Sequence, residues 1–117
     1  MRSLPALLVL VLVAGGCTTS QSRFVRLEGA YPPRPENCDV PILNPPPARD
    51  FVRIARIDVH LEWSAYDRPG LENALPEIRK QACLAGADAV IELDERRGSH
   101  IETKRYHVIA TGIKYRN

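Results

Sequence analysis

Three histidines and several carboxylates are the side chains of this sequence whose chemistry suits metal binding. They are His60, His100 and His107, with Asp58, Asp88 and Asp94. No two histidines have the four-residue spacing of a helical zinc site, and no C-x-x-C pair occurs. His60 and His107 lie on the solvent-type faces of predicted strands and become neighbours only if those strands pair. We interpret them as surface or hydrogen-bonded histidines, and keep His60 and His107 as the candidate metal ligands of an alternative reading.

The residues that could act in nucleophilic catalysis lack the required pattern. Ser64 and Ser99 fall in predicted turns, without the G-x-S-x-G turn that exposes a nucleophilic serine. Asp88 follows a predicted helix end, where a carboxylate commonly accepts backbone N–H bonds. The sequence has no glycine-rich loop that would cradle a phosphate. We therefore predict that the protein is not an enzyme and needs no cofactor.

The first cysteine follows an apolar run that is too short to cross a membrane. Leu4 to Ala14 is apolar apart from Pro5, whereas a membrane-spanning helix needs roughly 20 apolar residues. A run of this length behind a basic N-terminus suits a secretory signal. The residues from Val13 to Cys17, Val-Ala-Gly-Gly-Cys, resemble the lipobox of bacterial lipoproteins.

This resemblance implies a lipid-anchored, exported protein. Residues 1–16 would be a signal peptide, and Cys17 would carry a diacylglycerol and an acylated amine. One acyl chain gives only marginal membrane binding, so three chains on one residue would anchor firmly. Thr18 stands where aspartate would retain such a protein at the inner membrane, which implies the outer membrane, facing the periplasm. The alternatives are an ordinary cleaved signal and an uncleaved anchor.

The charge pattern argues against one class of partner, nucleic acids. Sixteen basic and fourteen acidic residues are interspersed along 117 residues, for a net charge of +2. The basic patch of a nucleic-acid binder is therefore missing. Residues 17–37 are polar and proline-bearing, and we predict a lipid anchor and proline-rich tether there. Residues 38–117 are predicted to form one small domain.

Cys38 and Cys83 form an even pair once Cys17 is set aside. An exported chain places them in an oxidising compartment, which favours a disulfide. On a helical wheel Cys83 lies roughly 130° from the apolar stripe, so the segment around Cys38 could cross it there. We predict a Cys38–Cys83 disulfide. Two buried thiols, or a redox or metal-binding pair, are the alternatives.

Two strands are predicted before the helix. The segment Cys38–Leu43 suits only an edge strand, because Pro41 cannot donate a backbone hydrogen bond. Phe51–Trp63 alternates with a period of two, which is typical of a half-buried strand. The alternation changes phase along the segment, and one extra residue would restore it. We therefore predict a β-bulge near Ala55 and Arg56.

A helix and two further strands complete the predicted order. Apolar residues recur at helical spacing from Leu71 to Ala85. Pro76 should lie in the first turn, because a proline deeper in a helix costs about 3 kcal/mol. Asn73 is then the N-cap and Gly86 the left-handed C-terminal stop.

The remainder of the chain predicts a hairpin. "ADAVIEL" is apolar enough for a strand, "DERRGS" is predicted to turn at Gly98, and the last strand, "IETKRYHVIATGIKY", is apolar on parts of both faces. Partly apolar faces indicate a central strand, or one whose outer face is covered by the N-terminal tether or by another subunit. The order β-β-α-β-β predicts an α+β fold: a small, mainly antiparallel sheet of about four strands with one helix on one face.

A second resemblance concerns the domain itself. The predicted helix ends in A-x-x-x-G-A-D-A-V, from Ala82 to Val90, and the last strand contains A-x-G, from Ala110 to Gly112. These residues are similar to the small exported domain shared by the Rcs stress-sensor lipoproteins and the YbjQ-like heavy-metal-binding family. The resemblance covers roughly residues 38–116. It implies an outer-membrane or periplasmic lipoprotein with a role in the cell envelope.

These observations together predict a function based on contact. We expect a lipid-anchored protein that acts through protein–protein contact in the envelope, as a sensor or a scaffold. Its expected partners are the membrane, through the lipid, and other envelope proteins, but not nucleic acid. The alternative is a periplasmic protein that binds a metal or a small ligand through histidines and carboxylates.

Overall fold

A single antiparallel sheet, with one helix on one face, is the framework of the domain. The structure is a computed structural model that describes residues 19–64, 69–100 and 103–116. The elements in chain order are β1 (Thr19–Arg26), β2 (Phe51–Ser64), α1 (Leu71–Ala85), β3 (Ala89–His100) and β4 (Thr103–Tyr115). The strand order across the sheet is β1-β2-β4-β3. The predicted α+β class and the β-β-α-β-β order are confirmed.

The first strand is not the one predicted. β1 lies within the segment 17–37 that was predicted as a tether, and it pairs antiparallel with β2 over its whole length. Its side chains towards the helix are largely polar, so no apolar alternation marks it. The Ser22 hydroxyl donates to a Glu77 carboxylate oxygen at 2.7 Å, and the Gln81 amide donates to Ser22 at 3.0 Å. Phe24 on this face packs against the core, whereas Ser22 contacts α1 through hydrogen bonds.

The segment Cys38–Leu43 forms part of a long crossing rather than an edge strand. It makes one parallel bridge, between Ile42 and Val90. The Leu43 N–H donates to the Val90 carbonyl at 2.8 Å, and the Val90 N–H donates to the Pro41 carbonyl at 2.9 Å. Proline at position 41 and the prolines after Asn44 remove the donors that a longer ladder would need. We call residues 27–50, which link the neighbouring strands β1 and β2, the strap.

The central strand β2 follows its predicted alternation. Ile57, Val59 and Leu61 are buried on the helix side. The bulge is present slightly before the predicted position: the register with β4 shifts between Arg53 and Ala55. Ile54 is the extra residue, and the bulge allows it and Ala55 to be buried together.

The helix begins earlier than predicted. Gly70 is the N-cap, and Asn73 lies inside the first turn, where its side-chain oxygen accepts the Gly70 N–H at 3.0 Å. Pro76 is therefore the sixth residue of α1, beyond the first turn. A proline there deprives the Glu72 carbonyl of its helical donor. Glu72 and Pro76 are both exposed, so water can satisfy that carbonyl.

The end of the helix is as predicted. Gly86 has φ +79°, in the left-handed region. The Gly86 N–H donates to the Cys83 carbonyl at 3.0 Å and the Ala87 N–H donates to the Ala82 carbonyl at 2.9 Å. This is the Schellman pattern. A Cβ at position 86 would lie 2.7 Å from the Pro32 carbonyl oxygen, so the strap also requires glycine here.

The predicted turn "DERRGS" is wrong. β3 runs through it to His100, and Gly98 pairs with Arg105 in the ladder without a positive φ. The irregularity lies earlier, where the register with β4 shifts between Ile91 and Asp94 and Glu92 has φ +57°. The charged residues suggested a turn, but they belong to the outer half of β3, which is exposed to solvent.

Two apolar clusters hold the sheet. The main core lies between the sheet and α1 and includes Ile57, Ile78 and Val108. A smaller cluster, which we call the distal cluster, lies on the other side of the sheet beneath the strap and consists of Ala89, Ile91 and Ile113 with Leu43, Phe51 and Tyr115 packed against them. Within the described ranges, no helix is long and apolar enough to span a bilayer.

Candidate functional site

The face of the sheet opposite α1 collects ionisable side chains beyond the distal cluster, and we call this part the open face. Residues paired directly across antiparallel strands project from the same side of a sheet. The register therefore places one row across all four strands: Gln21, His60, His107 and Arg96. The next row towards the strap contains Arg23, Asp58, Ile109 and Asp94.

The two candidate histidines are brought together. The sequence made their contact conditional on strand pairing, and β2 and β4 do pair, with His60 directly opposite His107. Their ring centroids lie 5.8 Å apart in an edge-on arrangement. Each ring also contacts a carboxylate on its own face: His107 Nε2 lies 2.8 Å from Asp58 Oδ1, and His60 Nε2 lies 3.0 Å from Glu62 Oε1.

Asp58 is the buried member of this group, with 8% of its surface exposed. Arg56 Nη2 lies 3.3 Å from one Asp58 oxygen and His107 contacts the other. Burial opposes ionisation and is the largest single influence on this carboxyl, but the hydrogen bonds and charges of His107 and Arg56 together outweigh it. The pKa of Asp58 is therefore held below its ordinary value. Asp58 remains an anion at neutral pH and holds the His107 ring and the Arg56 guanidinium in place.

Glu62 makes a similar link at a more exposed position. Its carboxylate contacts His60, and the Arg105 Nε lies 3.2 Å away. The hydrogen bond with His60 is the main cause of a lowered Glu62 pKa, with a further contribution from the charge of Arg105. Two carboxylates thus orient two imidazole rings on rigid strands.

A shallow depression of about 550 Å³ lies over these groups and is lined by Gln21, Ser22, Arg23, Asp58, His60 and His107. The Asp58 carboxylate in this depression already contacts Arg56 and His107. The side chains of His60 and His107 are each 37% exposed. Gln21 and Arg23 are also exposed here, and their amide and guanidinium donors suit the carboxylates and amides of a partner.

The described residues do not assemble a metal centre. No group of three or more His, Cys, Asp or Glu side chains within 19–64, 69–100 and 103–116 is arranged to hold a metal ion. Asp94 contacts Arg96 at 3.6 Å. Asp88 accepts the Tyr115 N–H at 2.9 Å and contacts Lys114, so its predicted role as a backbone acceptor is confirmed, although its donor lies on β4.

The predicted disulfide is present. Cys38 and Cys83 are bonded, with Cα atoms 5.9 Å apart, and Cys83 is fully buried. The strap crosses the end of α1 at this point, as the helical wheel indicated. Nearby, the Arg34 N–H donates to the Cys83 carbonyl at 2.8 Å and its guanidinium donates to the Ala87 carbonyl at 2.9 Å.

Cys17 lies outside the described residues, but its distance from the fold along the chain is short. β1 begins at Thr19, two residues later. The predicted tether therefore contributes a strand of the sheet, and the folded part extends almost to the predicted lipidation site.

Sequence reasoning missed the β1 side of the site and a hydrogen bond between the buried Tyr106 and the exposed Glu95. Gln21 and Arg23 were assigned to the tether, although Ser20, Ser22 and Phe24 alternate with longer polar side chains. On the helix side, the Tyr106 hydroxyl donates to Glu95 at 2.6 Å. Burial, followed by this carboxylate, raises the Tyr106 pKa well above its usual range.

Comparisons of the chain with known protein families, with curated proteins and with solved structures found no match. The likeness to the Rcs and YbjQ-like domains stays a prediction from the sequence.

Proposed function

We propose that this chain is a non-catalytic periplasmic lipoprotein, anchored in the outer membrane through Cys17, that acts by protein–protein contact. The lipobox-like residues before Cys17 are the basis for the proposed export and lipidation. The Cys38–Cys83 disulfide supports export, because structural disulfides persist in oxidising compartments and are rare in the cytosol. A sensor-type or scaffolding role in the envelope is consistent with both.

The observation that carries the contact role is the ordered, charged open face. Its ion pairs hold side chains in place before any partner arrives, which lowers the entropy cost of binding. Rigid strands present these side chains, and α1 leaves this side of the sheet uncovered. Arginine is enriched in protein interfaces because its planar fork binds carboxylates and amides bidentately.

The charge of the open face indicates the partner's chemistry. Its ionised groups are four arginines against three carboxylates: Arg23, Arg56, Arg96 and Arg105, with Asp58, Glu62 and Asp94. At the β1 margin, Val25 and Leu27 add large apolar side chains that are 44% and 53% exposed. An acidic protein surface with an apolar edge fits this pattern.

The anchor is tested by replacing Cys17 with alanine in the full chain. We expect the wild type to incorporate labelled palmitate and to fractionate with the outer membrane. The Cys17→Ala chain should remain an unlabelled precursor. A control, Cys38→Ala, should keep the label. Wild type that is cut to a soluble, unlabelled product would contradict the lipoprotein proposal.

The contact surface is tested by photocrosslinking in intact cells. A photoreactive amino acid replaces Gln21 on the open face or, as a matched control, Arg79 on the exposed side of α1. We expect a discrete protein adduct from position 21 that is lost when Arg23→Glu reverses the local charge. Adducts that form equally from position 79, or that persist in the Arg23→Glu chain, would contradict recognition by this face.

The adjacent histidines favour one second candidate function, binding of a metal or small ligand. Metal-binding histidines commonly donate their second ring nitrogen to a carboxylate, as His60 and His107 are placed to do with Glu62 and Asp58. Residues 18–117, secreted behind an ordinary signal, would be titrated with zinc by calorimetry. Stoichiometric binding that His60→Ala or His107→Ala abolishes, and His100→Ala does not, would favour this candidate over contact alone.

A further inference from the structure

The short distance between the predicted lipidation site and the sheet constrains how the domain sits. Cys17 lies two positions before Thr19, the first residue of β1. Even a fully extended chain spans only about 3.5 Å per residue, or roughly 7 Å in all. If Cys17 carries acyl chains in a leaflet, the start of β1 must lie at the surface of that leaflet.

The register identifies which other residues share this end of the sheet. Thr19 pairs with Glu62, Glu62 with Arg105, and Arg105 with Gly98. The other three strands then continue for two residues beyond this row, to Ser64, Thr103 and His100. Two strand residues advance about 7 Å, so these ends reach the level that an extended Cys17 would occupy.

We propose that this end of the sheet rests on the phospholipid headgroups of the leaflet that holds the acyl chains. The inference depends on the proposed lipidation of Cys17. We call the residues Trp63, Gly98, Lys104 and Arg105 the membrane-proximal end. The strands then stand along the membrane normal, and the strap and distal cluster lie far from the lipid.

The side chains at this end suit a headgroup layer. Lys104 and Arg105 provide cations for lipid phosphates, and the Arg105 side chain is 50% exposed. Trp63 is half-buried against the core, and tryptophan is enriched at membrane interfaces because its ring is apolar with one polar edge. The acidic Glu62 is already held by His60 and Arg105, which reduces its repulsion of phosphates.

The proposed orientation places the open face beside the membrane rather than against it. The His60–His107 row lies two residues beyond the Thr19–Glu62 row, about 7 Å farther from the lipid along the strands. A partner that binds the open face would therefore approach parallel to the membrane plane, close to the headgroups.

Trp63 provides the test, because it is the single tryptophan in the sequence. The lipidated full chain is reconstituted into vesicles of phosphatidylethanolamine and phosphatidylglycerol that contain lipids with a nitroxide on the headgroup. We expect the nitroxide to quench Trp63 fluorescence strongly. A matched chain with twelve Gly/Ser residues inserted after Thr18 adds a mean reach of about 20 Å, and it should stay membrane-bound but lose the quenching.

Charge reversal at the two ends of β4 tests the headgroup contact separately. Arg105→Glu should reduce the quenching, whereas Arg116→Glu, just beyond the opposite end of β4, should leave it unchanged. A chain that does not float with the vesicles would overturn the lipidation of Cys17. A chain that floats, but whose Trp63 is quenched no more than in the linker variant, would overturn this orientation alone.

Discussion

The two faces of the sheet differ in what their side chains contact. On the helix side, Ile57, Val59 and Val108 are fully buried against α1 and one another. On the open face, His60, Glu62 and His107 contact charged or polar neighbours and remain about one third exposed. Because apolar burial is the main favourable term in folding, the helix side should supply the stability and the open face the recognition.

The polar contacts of the two faces also differ in kind. On the helix side, the pairs Ser22–Glu77 and Tyr106–Glu95 connect different elements and close the edges of the core. On the open face, Asp58 and Glu62 each link side chains that all project from the sheet. The Ser22–Glu77 pair joins the sheet to α1, whereas Asp58 and Glu62 arrange side chains on the surface of the sheet. Substitutions on the two faces should therefore separate stability from binding.

The largest effect should come from the covalent link on the helix side. Cys38→Ala or Cys83→Ala opens a loop whose ends are 45 residues apart, which we expect to lower the free energy of unfolding by about 4 kcal/mol in the chain-entropy estimate. Urea denaturation would measure it. The double variant should lose no more than either single one, and reductant should destabilise only the wild type. Single losses that add together would mean that the bond is absent.

Truncation in the two faces gives the direct comparison. Ile57→Ala leaves a cavity in the sealed core and should cost about 3 kcal/mol. Ile109→Ala, on the half-buried part of the open face, should cost about 1 kcal/mol, because part of the side chain already meets water in the folded protein. Both are measured by urea denaturation. Equal losses of unfolding free energy would show that the two faces contribute alike to stability. That result would contradict the assignment of stability mainly to the helix side.

The buried carboxylate of the open face should give a pH-dependent effect. Asp58→Asn should cost about 1.5 kcal/mol at pH 7, since it removes a charged acceptor from His107 and Arg56. The folded-state pKa of Asp58 is lowered, so its contribution is present above its ordinary pKa of about 3.9 and is lost as the pH falls through the folded value. Denaturation curves of both chains should converge in acid. A difference that stays constant down to pH 2 would contradict this assignment.

The smallest effect on stability is expected at an exposed ion pair. Arg96 contacts Asp94 at 3.6 Å, and both side chains are mostly exposed. Arg96→Ala should change the free energy of unfolding by less than about 0.5 kcal/mol. The same variant should weaken the adduct from position 21 in cells. A loss of stability with an unchanged adduct would reverse the roles of the two faces.

Much of the helix side could be predicted from the sequence, because its buried residues recur with the period of a strand or a helix. The alternation of β2, the helical stripe and the glycine stop at Gly86 each follow from local rules. The position of Cys83 off the stripe indicated where the strap would cross. The start of α1 was missed because an exposed proline at position 76 is tolerated deeper in the helix than the general cost suggests.

The open face could not be predicted to the same degree, because it depends on register. β1 contacts the helix through Ser22 rather than through an apolar row, so it carries no hydrophobic period. The charged residues of β3 looked like a turn. Whether His60 meets His107 depends on the pairing of β2 with β4, and that pairing depends on the bulge at Ile54. No local pattern encodes such a contact over 47 positions of chain.

The position of β1 also determines how the domain would carry a mechanical load. Tension on an anchored Cys17 would enter at Thr19 and run along the axis of the strand. All eight residue pairs between β1 and β2 would then be sheared together, instead of being unzipped one after another. Beyond β1, the strap is tied to the helix by the Cys38–Cys83 bond. A pull from the membrane would thus meet two successive points of resistance before it reached the core.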